Sequence, residues 1–97
     1  MIRNVVLTKL AAGYDTAEVE QFQQGLRALN LAGTRALTTG TDVGLRDGNW
    51  DLAIVADFDD VEAYRRYDED AEHNRLRARI APFIEQIARV QFEIPDA

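Results

Sequence analysis

Residues Trp50 to Phe58 alternate with a period of two, and both faces they define carry apolar groups. Trp50, Leu52, Ile54, Ala56 and Phe58 line one face. Ala53 and Val55, flanked by Asp51 and Asp57, give the other a smaller apolar patch. A period of two is strand geometry, because successive side chains leave a strand on opposite sides. A strand that is apolar on both sides needs a cover on both. Ile2 to Leu10 makes the same demand: Ile2, Val6 and Leu10 point one way, Val5 and Leu7 the other. The fold must therefore place a layer on each side of one sheet.

Helical spacing occurs in two regions. Asp15 is placed to accept the free amides of a first helical turn, and Glu18 completes a capping box three residues on. Tyr14 and Val19 occupy the positions of a hydrophobic staple, and Val19, Phe22, Leu26 and Leu29 form one apolar stripe. Gly25 interrupts that helix at a cost of about 1 kcal/mol relative to Ala, which close packing of helix on sheet accounts for. Asp59-Asp-Val-Glu62 is a second capping box, with Phe58 placed to staple against Ala63. This second helix is expected from about Asp60 to Tyr67, with a break over the acidic stretch Asp68 to Glu72. Helical spacing resumes at Leu76, Ile80 and Phe83, and Pro82 ends or kinks it.

The remaining segments complete the order. Gly33 closes the turn after the first helix, and Arg35 to Val43 is a threonine-rich strand. Asp42 to Asn49 is a loop with turns at Gly44 and Gly48. Ala88, Val90, Phe92 and Ile94 alternate with polar residues as a last half-buried strand, stopped by Pro95. Strand, helix, strand, strand, helix, strand is the α+β ferredoxin-like βαββαβ plan, with a four-stranded antiparallel sheet in a single domain over residues 1–97. Two helices cover one face of such a sheet. The simplest cover for the other is a second copy of the chain, giving a homodimer with its sheets face to face.

Charge and composition narrow the partners. Seventeen acids against eleven bases leave a formal net charge of -6, which argues against nucleic acid and against an anionic membrane surface. With no cysteine there is no disulfide framework and no thiolate nucleophile or metal ligand. The apolar run at the start is too short for a secretory signal, and no stretch approaches the roughly 18 apolar residues of a membrane span. A cytoplasmic protein is expected. Chemistry, if the chain performs any, is expected in Tyr64-Arg-Arg-Tyr67-Asp-Glu-Asp-Ala-Glu-His73, which holds two tyrosines, an acidic cluster and the only histidine.

The opening Ile2-Arg-Asn-Val-Val-Leu-Thr-Lys9, the loop Gly40-Thr-Asp42…Gly48-Asn-Trp50-Asp-Leu, Asp57-Phe-Asp-Asp60 ahead of a tyrosine-bearing helix, and Ala71-Glu-His73 together resemble the stress-responsive dimeric α/β-barrel family, often called Dabb. The resemblance spans essentially the whole chain and implies a ferredoxin-like protomer in a dimeric barrel. A plant polyketide cyclase of the family closes a linear chain by an intramolecular aldol reaction without a metal or cofactor. The family pattern Tyr-x-x-His-Pro-x-His reads here Tyr67-Asp-Glu-Asp70-Ala71-Glu-His73. The cyclase's catalytic pair thus matches Tyr67 and His73, while Asp70, Ala71, Asn4 and Thr8 depart from the family's usual residues.

The resemblance implies His73 as general base and Tyr67 as the partner of a carbonyl, acting on a small aromatic or polyketide-like ligand. A neutral imidazole near pH 7 suits proton abstraction, and a phenol hydroxyl suits a developing enolate oxygen. At the start of a helix His73 is favoured neutral; the nearby Asp70 and Glu72 favour its charged form. Asn4, Tyr64 and Trp50 are further candidates for substrate contact; the plainer readings are an edge polar group bonded to backbone for Asn4, a core residue for Tyr64, and a core or dimer-interface anchor for Trp50. Asp68, Glu69, Asp70 and Glu72 with His73 could be read as hard metal ligands, but a run of adjacent acids is usually a solvated face, and neither metal nor cofactor is expected. Arg65, Arg66, Arg75, Arg77 and Arg79 read as surface helix pairs. Two further readings are a non-catalytic dimeric binding or stress-associated protein and a monooxygenase of quinol-like substrates, the latter by fold analogy alone.

Overall fold

The computed structural model describes residues 1–96. Strand β1 (Ile2–Leu10) leads to helix α1 (Thr16–Ala28) and strand β2 (Thr34–Thr41). Strand β3 (Leu52–Phe58), helices α2 (Val61–Glu69) and α3 (Ala71–Ile80), a short 3-10 turn (Ala81–Phe83) and strand β4 (Ile84–Glu93) follow. The strands form one antiparallel sheet in the order β2-β3-β1-β4, so β1 and β3 occupy the centre. This is the expected βαββαβ protomer, with the second helix divided in two.

All helices lie on one face of the sheet. Asn4, Val6, Thr8 and Leu10 of β1 and Leu52, Ile54, Ala56 and Phe58 of β3 are buried beneath them. The stripe of α1 is Val19, Phe22 and Leu26, as its spacing dictates, with Leu29 partly buried at its end. Asp15 caps α1 by accepting from the amides of Ala17 and Glu18. The Glu18 carboxylate does not close the capping box; it pairs with Arg79 of α3 at 3.0 Å. Gly25 also has a different reason from the one expected. A Cβ there would lie 2.5 Å from Leu76 Cδ2, so the glycine admits helix α3 and not the sheet.

The other face is open. Val5 and Leu7 of β1 pair with Val55 and Ala53 of β3 and with Val90 and Ala88 of β4. These apolar residues share a face that no described segment of the protomer covers, with Leu7 and Val90 exposed on it. Arg3 and Asp57 face each other on it, joined by Nε–Oδ1 at 2.7 Å and Nη2–Oδ2 at 2.9 Å, and Arg3 holds the Asp57 carboxyl below the usual carboxylate range. Strand β4 departs from the half-buried expectation, because every residue from Glu85 to Glu93 is exposed. The helices sit over β1, β3 and β2 and stop short of this edge strand.

The break between α2 and α3 is narrower than the acidic stretch suggests. Asp70 alone is extended, ending one helix and starting the next. Its carboxylate accepts from the His73 amide at 2.9 Å. A short acceptor at this point satisfies free amides of α3 as well as ending α2, so a stretch with four acids costs only one non-helical residue. Phe83 falls in the 3-10 turn with Pro82 and not on the helix. None of the helices described is long and apolar enough to cross a membrane.

Candidate active site

Because the helices stop short of β4, a cavity of about 450 Å³ opens between that strand and the α2–α3 junction. Asn4, Val6 and Thr8 of β1 form its floor, Tyr64, Tyr67, His73 and Arg77 its helical wall, and Ile87 and Arg89 of β4 its far side. Four of the five candidate residues, Asn4, Tyr64, Tyr67 and His73, therefore meet in one place. Trp50 does not. It lies in the loop ahead of β3, half-buried, and does not line this cavity, because the strand begins only at Leu52.

The imidazole of His73 is held by the helix junction itself. Its Nδ1–H donates to the backbone carbonyl of Tyr67 at 2.8 Å. That carbonyl belongs to the last turn of α2, where the final carbonyls lack helical partners. The bond fixes Nδ1 as the protonated nitrogen and leaves the lone pair of the neutral ring on Nε2. The Tyr67 ring lies 3.9 Å from the imidazole, at an interplanar angle of 31°. Phe58 packs behind both tyrosines, with centroids 5.1 Å from Tyr67 and 5.6 Å from Tyr64.

Burial dominates the electrostatics. His73 is only 3 % exposed, and desolvation holds its pKa below the ordinary 6.5. The Arg77 guanidinium acts in the same direction, while the Tyr67 carbonyl, Asp68 and Asp70 oppose it. The contest posed by the sequence, helix start against neighbouring acids, is thus settled by a third effect. Burial also pushes the Tyr67 phenol up to about 12, so it remains a proton donor throughout the physiological range.

Among the described residues, Thr34 Oγ1 is the one fully buried side-chain polar atom lacking a hydrogen-bond partner. Among the described residues neither His73 Nε2 nor Tyr67 Oη has a hydrogen-bond partner, and both residues line the cavity. Asn4 accepts from Gln91 Nε2 through its Oδ1 at 2.7 Å, which leaves its amide N–H groups for a ligand.

The acidic run is spent on structure. Asp70 caps α3, Glu72 pairs with Arg75, and Asp68 Oδ1 accepts from Arg77 at 3.0 Å. Among the described residues no three His, Asp or Glu side chains converge as metal ligands. Arg77 corrects the surface-pair reading of the helix arginines. It also donates to the Asp68 carbonyl and to Asn74 Oδ1, and so lies along the cavity wall. Arg89 is a second lining residue that sequence reasoning passed over; its alternation with Ala88 and Val90 places it on the helix side of β4.

The sequence model of the Stress responsive A/B Barrel Domain, Dabb, matches residues 2–94. The fold is similar to that of a dimeric ferredoxin-like protein of unknown function from Thermobifida fusca YX, with TM-score 0.88 and 32% identity, covering 96% of this chain and 90% of that one. A dimeric ferredoxin-like protein from Bacteroides fragilis NCTC 9343 is similar with TM-score 0.85 and 22% identity, over 96% and 95% of the two chains. A hydroxynitrile lyase from Passiflora edulis shares the fold with TM-score 0.80 at 16% identity, over 99% and 94%. No curated protein matches the chain.

Proposed function

The chain belongs to the stress-responsive A/B barrel domain family, and from that premise we propose that it is a homodimer whose cavity carries out proton transfer on a small carbonyl compound. The observation that supports this most is the His73 ring: buried, neutral, fixed through Nδ1, with Nε2 free beside a phenol that stays protonated. Groups held in place before the reaction need no reorganisation as charge develops.

In this reading Nε2 of His73 takes a proton from the carbon next to a carbonyl. The oxygen becomes an enolate and accepts a hydrogen bond from Tyr67 Oη. In a cyclase the enolate carbon attacks a second carbonyl of the same molecule, one carbon–carbon bond forms, and the imidazolium returns its proton to the new alkoxide. In an isomerase the proton returns to a different carbon. The imidazolium is supported meanwhile by the Tyr67 carbonyl, Asp68 and Asp70. Both routes use residues of this chain. The Passiflora edulis protein adds that this scaffold can host an enzyme.

The dimer is supported by the uncovered apolar face and by the two dimeric structural relatives. Face-to-face sheets would leave the cavity open, because it lies on the opposite side of the sheet.

The test is exchange of α-protons from an aryl ketone, acetophenone, in D2O at neutral pH, followed by NMR. Protein-dependent exchange that is lost in His73→Ala and Tyr67→Phe, with folding intact, is the expected outcome. Rates unchanged in both variants would end this reading. A His73 signal that responds to no polyketide-like or phenolic compound would favour the non-catalytic alternative.

A further inference from the structure

The two sides of the cavity differ in charge. On the helical wall the Arg77 guanidinium is held by three hydrogen bonds, to Asp68 Oδ1, the Asp68 carbonyl and Asn74 Oδ1, and its charge is paired with Asp68. On the opposite side Arg89 has no ion-pair or hydrogen-bond partner among the described residues, although the chain as a whole is acidic. Its register fixes its direction. Arg89 pairs with Val6, Gln91 with Asn4 and Ile87 with Thr8, and those three β1 residues are buried on the helix side. Arg89 therefore stands on the cavity side of β4, two residue pairs along from Asn4, whose amide N–H groups have no partner among the described residues. The free nitrogens of Asn4 and Arg89 are donors, whereas an enolisable carbonyl at His73 occupies only the helical wall. The far side of the cavity is thus built for an acceptor with negative charge.

We propose that the ligand carries a carboxylate, held by Arg89 with the Asn4 amide, at the end of the molecule away from the carbonyl that faces His73. The inference rests on the acid–base reading of that site and narrows its substrates to oxo-acids. A guanidinium binds a carboxylate through two parallel N–H donors, a geometry neither an ester nor an alcohol reproduces. An arginine whose task is only to keep edge strand β4 from pairing with other chains makes no such distinction.

The test compares 3-benzoylpropionate with its methyl ester, which share the aryl ketone and differ in charge. Binding is read by calorimetry to wild type, Arg89→Gln, Arg89→Lys and His73→Gln. The acid is expected to bind wild type at least about tenfold tighter than the ester. Arg89→Gln should abolish that preference, Arg89→Lys retain part of it, and His73→Gln leave it intact. Equal binding of acid and ester to wild type overturns the proposal, as do binding of neither at millimolar concentration and a preference that survives Arg89→Gln. The acid–base reading fails separately, through unchanged exchange in His73→Ala, so either idea can fall alone.

Discussion

Tyr67 holds His73 twice: its backbone carbonyl accepts from Nδ1 at 2.8 Å, and its ring lies 3.9 Å from the imidazole. The main chain of one residue thus sets the tautomer of the other, while its side chain shares the other's cavity. This follows from the single extended residue Asp70, which folds α3 back against the last turn of α2. A longer break would separate the two rings.

His73 makes stability depend on pH in a defined window. Its folded pKa lies below the unfolded value of about 6.5. Above 6.5 both states are neutral and the residue contributes no slope. As pH falls below 6.5 the unfolded chain takes up a proton that the folded chain refuses, so stability declines until the folded pKa is reached. The slope is at most about 1.4 kcal/mol per pH unit. Denaturation midpoints measured from pH 7.5 to 5 should fall for wild type and fall less for His73→Gln. The imidazole NMR signal, the only one in the chain, should titrate below pH 6.5.

Tyr67→Phe separates chemistry from packing. The hydroxyl has no protein partner among the described residues, so its loss should change stability by less than about 1 kcal/mol. Tyr67→Ala removes a buried ring packed on Phe58 and should cost about 3–5 kcal/mol. Loss of one donor to a developing oxyanion lowers turnover by about 10²–10³. Urea unfolding beside the exchange assay should therefore show Tyr67→Phe folded and slow. A variant that is both folded and fast would remove Tyr67 from the mechanism.

Gly33→Ala should be among the most damaging small substitutions. Gly33 sits at φ +86, and a Cβ there would lie 2.5 Å from the Cβ of Ala63 on α2. The left-handed backbone costs about 1–2 kcal/mol for a residue with a Cβ, and overpacking adds about 1–3. Gly13 is the control, at φ +74 with nothing within 4 Å of the added carbon. Gly13→Ala should show the backbone cost alone. Thermal melts of both variants, and of Gly33→Ala combined with Ala63→Gly, measure the steric part directly.

The alternation in β1 and β3 and the stripe of α1 were legible because burial on one face writes a period into the chain. The pairing of Tyr67 with His73 was suggested by family resemblance alone, and the two side chains line one cavity. What could not be read depends on distance in space. Adjacent acids look alike in sequence, yet Asp68 turns to Arg77, Asp70 caps a helix and Glu72 faces solvent beside Arg75. Arg89 looked like the polar half of a half-buried strand, because nothing in the alternation says that the helices stop short of β4. Trp50 looked like a strand residue, because the end of a loop carries no period of its own.

The open face carries the last prediction. Val90 is 61 % exposed and stands opposite Val5, with Leu7, Val55 and Phe92 on the same side of the sheet. An apolar face of this kind on a small protein marks an association surface. Face-to-face packing of two such sheets would bury Val90 in both copies. A glutamate there would place two uncompensated carboxylates between the sheets, which interfaces do not tolerate. Val90→Glu should therefore halve the mass seen by sedimentation at micromolar concentration and leave the circular dichroism spectrum unchanged. Ile87 is the matched control: it lies on the same strand, 42 % exposed, but faces the cavity. Ile87→Glu should keep the dimer and disturb ligand binding. Wild type sedimenting as a monomer would leave the open face without its proposed cover, and two variants with the same mass would place the interface elsewhere.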